Sequence, residues 1–156
     1  MGDRTFVEIQ IRKDDYHKLM KNNNFEIEDL HDAVGYDNLE DQGSIISFQM
    51  YECNYAEWAS LENLLVDFEL NKFWEDGGDY EGGEYYRRKI KGELNCFEIT
   101  NSKSNSLNTL ESLLETVKDL NDPDGIKKVI LDRIKDIKPF ELEPLDKPLS
   151  VKFIEE

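Results

Sequence analysis

Between Phe73 and Tyr86, five carboxylates and five aromatic rings alternate with two Gly-Gly pairs: Phe73-Trp74-Glu75-Asp76-Gly77-Gly78-Asp79-Tyr80-Glu81-Gly82-Gly83-Glu84-Tyr85-Tyr86. Carboxylates gathered in this way have three chemical uses. They ligate calcium, they work as an acid and base pair, or they present fixed negative charge to a basic partner. Asp76, Asp79 and Glu81 do not follow the one-three-five spacing and distal Glu of a calcium loop, so no metal site is expected. An acid and base pair needs a cleft that holds two carboxyl groups at a set separation, which spacing along a chain does not supply. Recognition of a basic, partly apolar surface remains, because Tyr and Trp are enriched at interaction hot spots and glycine lets backbone approach a partner closely. The candidate partner-binding residues are therefore Trp74, Glu75, Asp76, Asp79, Tyr80, Glu81 and Glu84, with Glu57, Glu62 and Glu69 from the segment before them. The plainer alternative is a flexible connection whose Trp74 and Tyr86 tuck into the core.

Other chemistries leave little trace. No Gly-rich phosphate loop ends in Lys-Ser or Lys-Thr, and no GxGxxG, GxSxG or HExxH occurs. His17 and His31 lie on separate segments and do not form ligand-spaced clusters with Cys53 or Cys96. We expect no catalytic residue, no metal and no cofactor. Two cysteines 43 residues apart provide no framework of bridges, so free thiols in a reducing, cytoplasmic setting are expected. No apolar run approaches the ~18 residues of a membrane span, and Phe6 stands where a myristoylation motif wants Ser or Thr.

Net charge is −16 from 35 acids and 19 bases, and it is confined to one window. Asn22 to Tyr86 holds 17 acids and one base, Lys72, while residues 1–21 sum to +1 and residues 87–156 to −1. Sixty-five residues nearly free of Lys and Arg must create a coherent negative field once folded. Such a field repels nucleic acid and anionic membrane and draws in basic surfaces, with attraction screened over a Debye length of ~8 Å at physiological salt. Arg87, Lys89 and Lys91 follow the acidic segment on one expected strand face, where they would anchor it or pair with a second copy.

The elements that must position these groups follow from periodicity. One domain, 1–156, suits the length and the 38% apolar content. Phe6 to Ile11 alternates as a strand, and Asp14 is placed to cap a short helix through Tyr16, Leu19 and Met20, broken at Asn22 to Asn24. Ile27, Leu30 and Val34 predict another turn or two of helix ended by Gly35. Gly43 to Tyr51 reads as a second strand. Asn54 and Glu57 resemble a capping box for a helix to about Leu70, with Trp58, Leu61, Leu65 and Phe68 on one face. Tyr85–Ile90 and Leu94–Thr100 predict a hairpin turned at Lys91-Gly92. After a linker from Asn101 to Ser106, an αα-hairpin buries Leu110, Leu113, Leu114 and Val117, then Ile126, Val129, Ile130 and Ile134, with Asp122 as cap and Pro123 first in the second helix. Residues 139–156 form an extended tail in which Val151 and Phe153 could add an edge strand. The expected architecture is α+β: a single mixed or antiparallel sheet of four to five strands packed with helices, including the C-terminal αα-hairpin.

On this basis the expected function is that of a non-enzymatic acidic binding protein. It would occupy the basic site of a nucleic-acid-processing enzyme or a toxin, as an anti-restriction or anti-CRISPR type of DNA mimic or as an immunity protein, without touching nucleic acid or membrane. DNA carries one charge per ~1.7 Å of axis, and carboxylates can substitute for those phosphates without offering a cleavable bond. Two alternatives stand beside it. One is an intracellular adaptor or oligomeric assembly protein, homodimeric in its simplest form, whose acidity serves solubility. The other is a small carboxylate-dependent hydrolase.

Overall fold

A computed structural model describes residues 3–117, 123–137 and 145. It contains one six-stranded, wholly antiparallel sheet in the order β2-β3-β1-β4-β5-β6. The strands are β1 (Arg4–Arg12), β2 (Asn38–Asp41), β3 (Ile45–Asn54), β4 (Leu70–Trp74), β5 (Gly83–Ile90) and β6 (Glu93–Thr100). Helices α1 (Lys13–Asn23), α2 (Ile27–Val34) and α3 (Ala59–Leu64) lie between strands, and α4 (Asn101–Val117) and α5 (Pro123–Ile137) follow the sheet. The α+β class and the α4–α5 pair, which are in contact, agree with the sequence. The sheet has six strands instead of four or five.

The alternation in β1 works as expected: Val7, Ile9 and Ile11 are fully buried. They face Ile46 and Phe48 of β3 through the register Ile9↔Phe48 and Ile11↔Ile46. Leu19, Leu30, Val34, Trp58, Leu61 and Leu65 from α1, α2, α3 and its end close this core from one side. Each such side chain withdrawn from water contributes ~1.5–3 kcal/mol. The Trp58 indole also donates to the Val34 carbonyl at 2.8 Å, and Ser60 donates to the same oxygen, which ties α3 to the end of α2. The second face of the sheet is covered differently. There Phe97 and Ile99 of β6 pack with Tyr86 of β5 and Ile134 of α5.

Several boundaries depart from the sequence expectation. The helix predicted to run from Asn54 to about Leu70 is only the six residues of α3, and Asn54 ends β3 instead of capping it. Leu70 to Trp74 is β4, drawn into the sheet by pairing with Val7 to Gln10 of β1. The Phe68 carbonyl accepts from the Arg87 guanidinium, as does the Leu65 carbonyl, which also accepts from the Phe68 N–H, so the turn after the helix is held by one side chain. Arg87 thus anchors this turn, whereas the sequence led us to expect it to anchor the acidic segment or pair with a second copy. The cap of α1 is Arg12 without a side-chain bond, in place of Asp14. The supposed linker 101–106 is the start of α4. Ile126 and Val129, predicted to be buried, are 41% and 70% exposed, and Leu113 is 46% exposed. The expectations for Asp122 as a cap and for the tail fall outside the described residues, Leu145 excepted.

Candidate functional site

Helices α1 to α3 cover the β2-β3-β1 half of their face, while α4 and α5 pack on the opposite face at β6. The helix-side face of β4, β5 and β6 is therefore left as the floor of a cleft. Its volume is about 510 Å³, and Tyr55, Ala56, Glu57, Glu62, Lys72, Trp74, Tyr80, Tyr85, Arg87 and Glu98 line it together with Leu70. Strand register explains the floor. Lys72 of β4 pairs with Tyr85 of β5, and Tyr85 with Glu98 of β6, so three consecutive strands put one row of side chains on the same face. One row along, Trp74 pairs with Gly83. A Cβ on Gly83 would come within 2.6 Å of Trp74 Cζ2, so the missing side chain is what lets the indole lie across β5. The indole N–H donates to the Glu81 carbonyl at 2.9 Å.

The wall of the cleft comes from the chain after β3. Tyr55 and Ala56 are both left-handed, with φ of 51° and 56°, a conformation that costs ~1–2 kcal/mol per non-glycine residue. This bend sets the Tyr55 ring edge-on to Tyr80 at 6.1 Å. It also brings Glu57 and, from α3, Glu62 to the rim. Glu62 accepts from Lys72 Nζ at 2.7 Å through one oxygen and from the Trp58 backbone N–H at 2.8 Å through the other. Lys72 Nζ also stands 5.9 Å from the Trp74 ring centroid. The Tyr80 hydroxyl is pushed above the ordinary tyrosine range by burial, then by Glu98, Glu57 and Glu62, which places three carboxylates within electrostatic reach of one ring. Tyr85 is likewise raised, first by burial and then by its bond to Cys96 Sγ at 2.8 Å.

The acidic segment itself is shorter than its composition suggests. Phe73 and Trp74 belong to β4 and Glu84 to Tyr86 to β5, so the loop is Glu75 to Gly82, with a bridge between Gly77 and Tyr80. Two of its four carboxylates are fixed by the chain. Asp76 accepts from the Gly82 N–H at 2.5 Å and from the Asn101 amide, and Glu81 accepts from the Ser102 N–H at 2.5 Å, capping α4. The bond from Ser102 holds the Glu81 carboxyl below its usual range. Gly77 packs on the Arg4 carbonyl, where a Cβ would stand 2.5 Å away, and this joins the loop to the start of β1.

The ten candidate residues separate into three groups. Glu75, Asp76, Asp79, Glu81 and Glu57 are exposed at one end of the sheet. Antiparallel pairing brings Asp3 and Arg4, the end of β3 and the end of β4 to this same end, and Arg4 pairs with Glu52 at 2.6 Å. Trp74, Tyr80 and Glu62 belong to the cleft. Glu84 and Glu69 lie apart from both. Glu84 accepts from the Tyr86 hydroxyl on the other face, and Glu69 is 5% exposed at the opposite end of the sheet, paired with Arg12 and accepting from the Lys89 N–H. Sequence reasoning missed Tyr55, Lys72, Tyr85, Arg87 and Glu98. The alternation of Tyr85 with Arg87 in β5 was the available signal for two of them.

His31 sits edge-on to Tyr36, and Cys53 is buried, donating to the Glu57 carbonyl at 3.0 Å. Among the described residues, no three His, Cys, Asp or Glu side chains converge as metal ligands would, and no helix is long and apolar enough to cross a membrane. No family model matches the chain, and neither a curated protein nor a solved structure matches it.

Proposed function

We propose that this chain is a non-enzymatic acidic binding protein that blocks the basic, nucleic-acid-binding site of a partner protein, as a DNA-mimic inhibitor of the anti-restriction or anti-CRISPR type or as a toxin immunity protein. The observation that carries the reading is the gathering of Asp3, Glu52, Glu57, Glu75, Asp76, Asp79 and Glu81 at one end of the sheet from three separate stretches of chain. Carboxylates held by the backbone, as Asp76 and Glu81 are, need little reordering when a partner docks, and ordering side chains at an interface otherwise costs ~0.5–1.5 kcal/mol each. A fixed acidic end also speeds encounter with a cationic surface.

The test is capture of partners from the native host at low and high salt, followed by competition with duplex DNA and RNA. A captured protein that is released by high salt, and whose own nucleic-acid binding or cleavage is inhibited by this chain, supports the reading. Capture that is indifferent to salt and to nucleic acid refutes it. The exposure of Leu113, Ile126 and Val129 on α4 and α5 favours a second reading, an adaptor or homo-oligomer assembled through these helices. Sedimentation of the purified chain tests the homo-oligomer, which requires self-association, and Leu113→Ser with Val129→Ser tests the adaptor, whose partner capture should fall while salt-sensitive capture through the acidic end persists.

A further inference from the structure

We propose that the cleft over β4, β5 and β6 receives one cationic side chain, lysine or arginine, from the basic protein partner. This rests on the reading of the chain as a binder of basic surfaces and names the point at which such a partner is gripped.

The first support is that the cleft already holds an ammonium group in this way. Lys72 Nζ is bound by the Glu62 carboxylate at 2.7 Å and stands 5.9 Å from the centre of the Trp74 ring. A carboxylate beside an aromatic face is the environment that suits a partly desolvated cation. The second support is that the same elements recur beside it. Tyr55, Tyr80 and Tyr85 supply rings, and Glu57 and Glu98 form no ion pair with any described residue.

The cations on the floor do not turn the site toward an anion. Lys72 is committed to Glu62, and the Arg87 guanidinium is turned to the carbonyls of Phe68 and Leu65. A volume of about 510 Å³ lies within the ~300–1,000 Å³ of small-ligand sites, enough for a long side chain and its flanking backbone. The Tyr55-Ala56 bend, left-handed at two successive non-glycine residues, is the kind of local strain that persists at ligand clamps. Glu57 also belongs to the acidic end of the sheet, so a partner drawn to that end arrives at the mouth of the cleft.

The full chain is titrated at low salt with hexa-arginine, hexa-lysine and a neutral Gly-Ser hexapeptide, with tryptophan emission as readout because Trp74, 8% exposed and part of the same core as Trp58, also lines the cleft whereas Trp58 does not. The arginine or lysine peptide is expected to change the emission saturably and the neutral peptide to leave it unchanged. Glu57→Gln combined with Glu98→Gln should weaken basic-peptide binding about ten-fold. Glu28→Gln with Glu40→Gln removes the same charge from exposed positions outside the cleft and should weaken it less than about three-fold. Equal weakening by the two pairs overturns the cleft proposal and leaves an acidic-surface binder standing. Absence of binding by both basic peptides, together with salt-indifferent capture, removes both readings. Circular dichroism of each variant verifies that the fold is retained.

Discussion

Removing the Glu69 carboxylate should destabilise the protein far more than removing any exposed acid. Its side chain is 6% exposed and that of Arg12 19%, and the carboxylate also accepts from the Lys89 N–H. In Glu69→Ala the Lys89 donor loses its acceptor, which costs ~1–3 kcal/mol for a buried group. Removing one partner from a buried ion pair costs ~3–5 kcal/mol. Arg12 retains some contact with water, and the two losses share one carboxylate, so they do not add in full. The expected total is ~3–4 kcal/mol. At ~2–4 °C per kcal/mol for a chain of this size, the melting temperature falls by roughly 6–16 °C. Urea denaturation followed by circular dichroism gives the number, with Glu28→Ala as the exposed control. Replacing both partners, Arg12→Met with Glu69→Leu, should recover only part of the loss, because the ion pair is removed as a unit while the Lys89 N–H still lacks its acceptor. A Glu69→Ala loss within ~0.5 kcal/mol of the control would refute the reasoning.

Gly83→Ala sets a Cβ 2.6 Å from Trp74 and 2.7 Å from the Ile99 carbonyl, so a loss of ~1–3 kcal/mol and a shift in tryptophan emission are expected. An unchanged melting curve would mean that the indole does not lie over Gly83. In an alkaline titration followed by phenolate absorbance, Tyr16, Tyr80, Tyr85 and Tyr86 should ionise above free tyrosine at ~10, each chiefly through burial. Their folded pKa values lie above the unfolded one, so the stability they contribute is complete below ~pH 10 and is lost as pH rises beyond it. Full ionisation of all seven tyrosines at pH 10.5 with the fold intact would contradict this. Cys96 is exposed and Cys53 buried, its thiol raised by burial, so a thiol reagent should label one cysteine in the native state and the second only after unfolding. Two fast thiols would disprove that burial.

The elements read best from sequence were those whose signal is local. Val7, Ile9 and Ile11 alternate, Gly35 ends α2 at φ 68°, and Lys91-Gly92 turns the β5–β6 hairpin with both residues at positive φ. These follow from period and from the few residues that tolerate a left-handed backbone. Strand β2 was not legible because Asn38, Glu40 and Asp41 are poor strand formers, and the strand exists only as a charged edge on β3. Helix α3 was read as too long because Leu61, Leu65 and Phe68 keep helical spacing through a turn. What overrides them is non-local: hydrogen bonding of β4 to β1 and the grip of Arg87 on two carbonyls. The acidic segment was visible as composition, but the sharing of its carboxylates between loop stitching and solvent was not. The cleft was invisible for the same reason, since Tyr55, Lys72 and Glu98 meet only through the register of three strands.

Strand order also sets a timetable for folding. β1 is the first strand in the chain and a central one in the sheet, and its two neighbours, β3 and β4, begin at Ile45 and Leu70. Its backbone groups must wait for loops of tens of residues to close, whereas β2–β3 and β5–β6 are short-range hairpins that form on a microsecond scale. The search for β1 is thus the slow step, and until it ends a strand bearing Val7, Ile9 and Ile11 has two open edges. Glu8, Gln10 and Arg12 on its other face keep that waiting strand from being apolar on both sides. Mutations that stabilise either hairpin should accordingly hasten folding and leave unfolding nearly unchanged, because both hairpins form before that step, while changes to β1 should divide between the folding and unfolding rates.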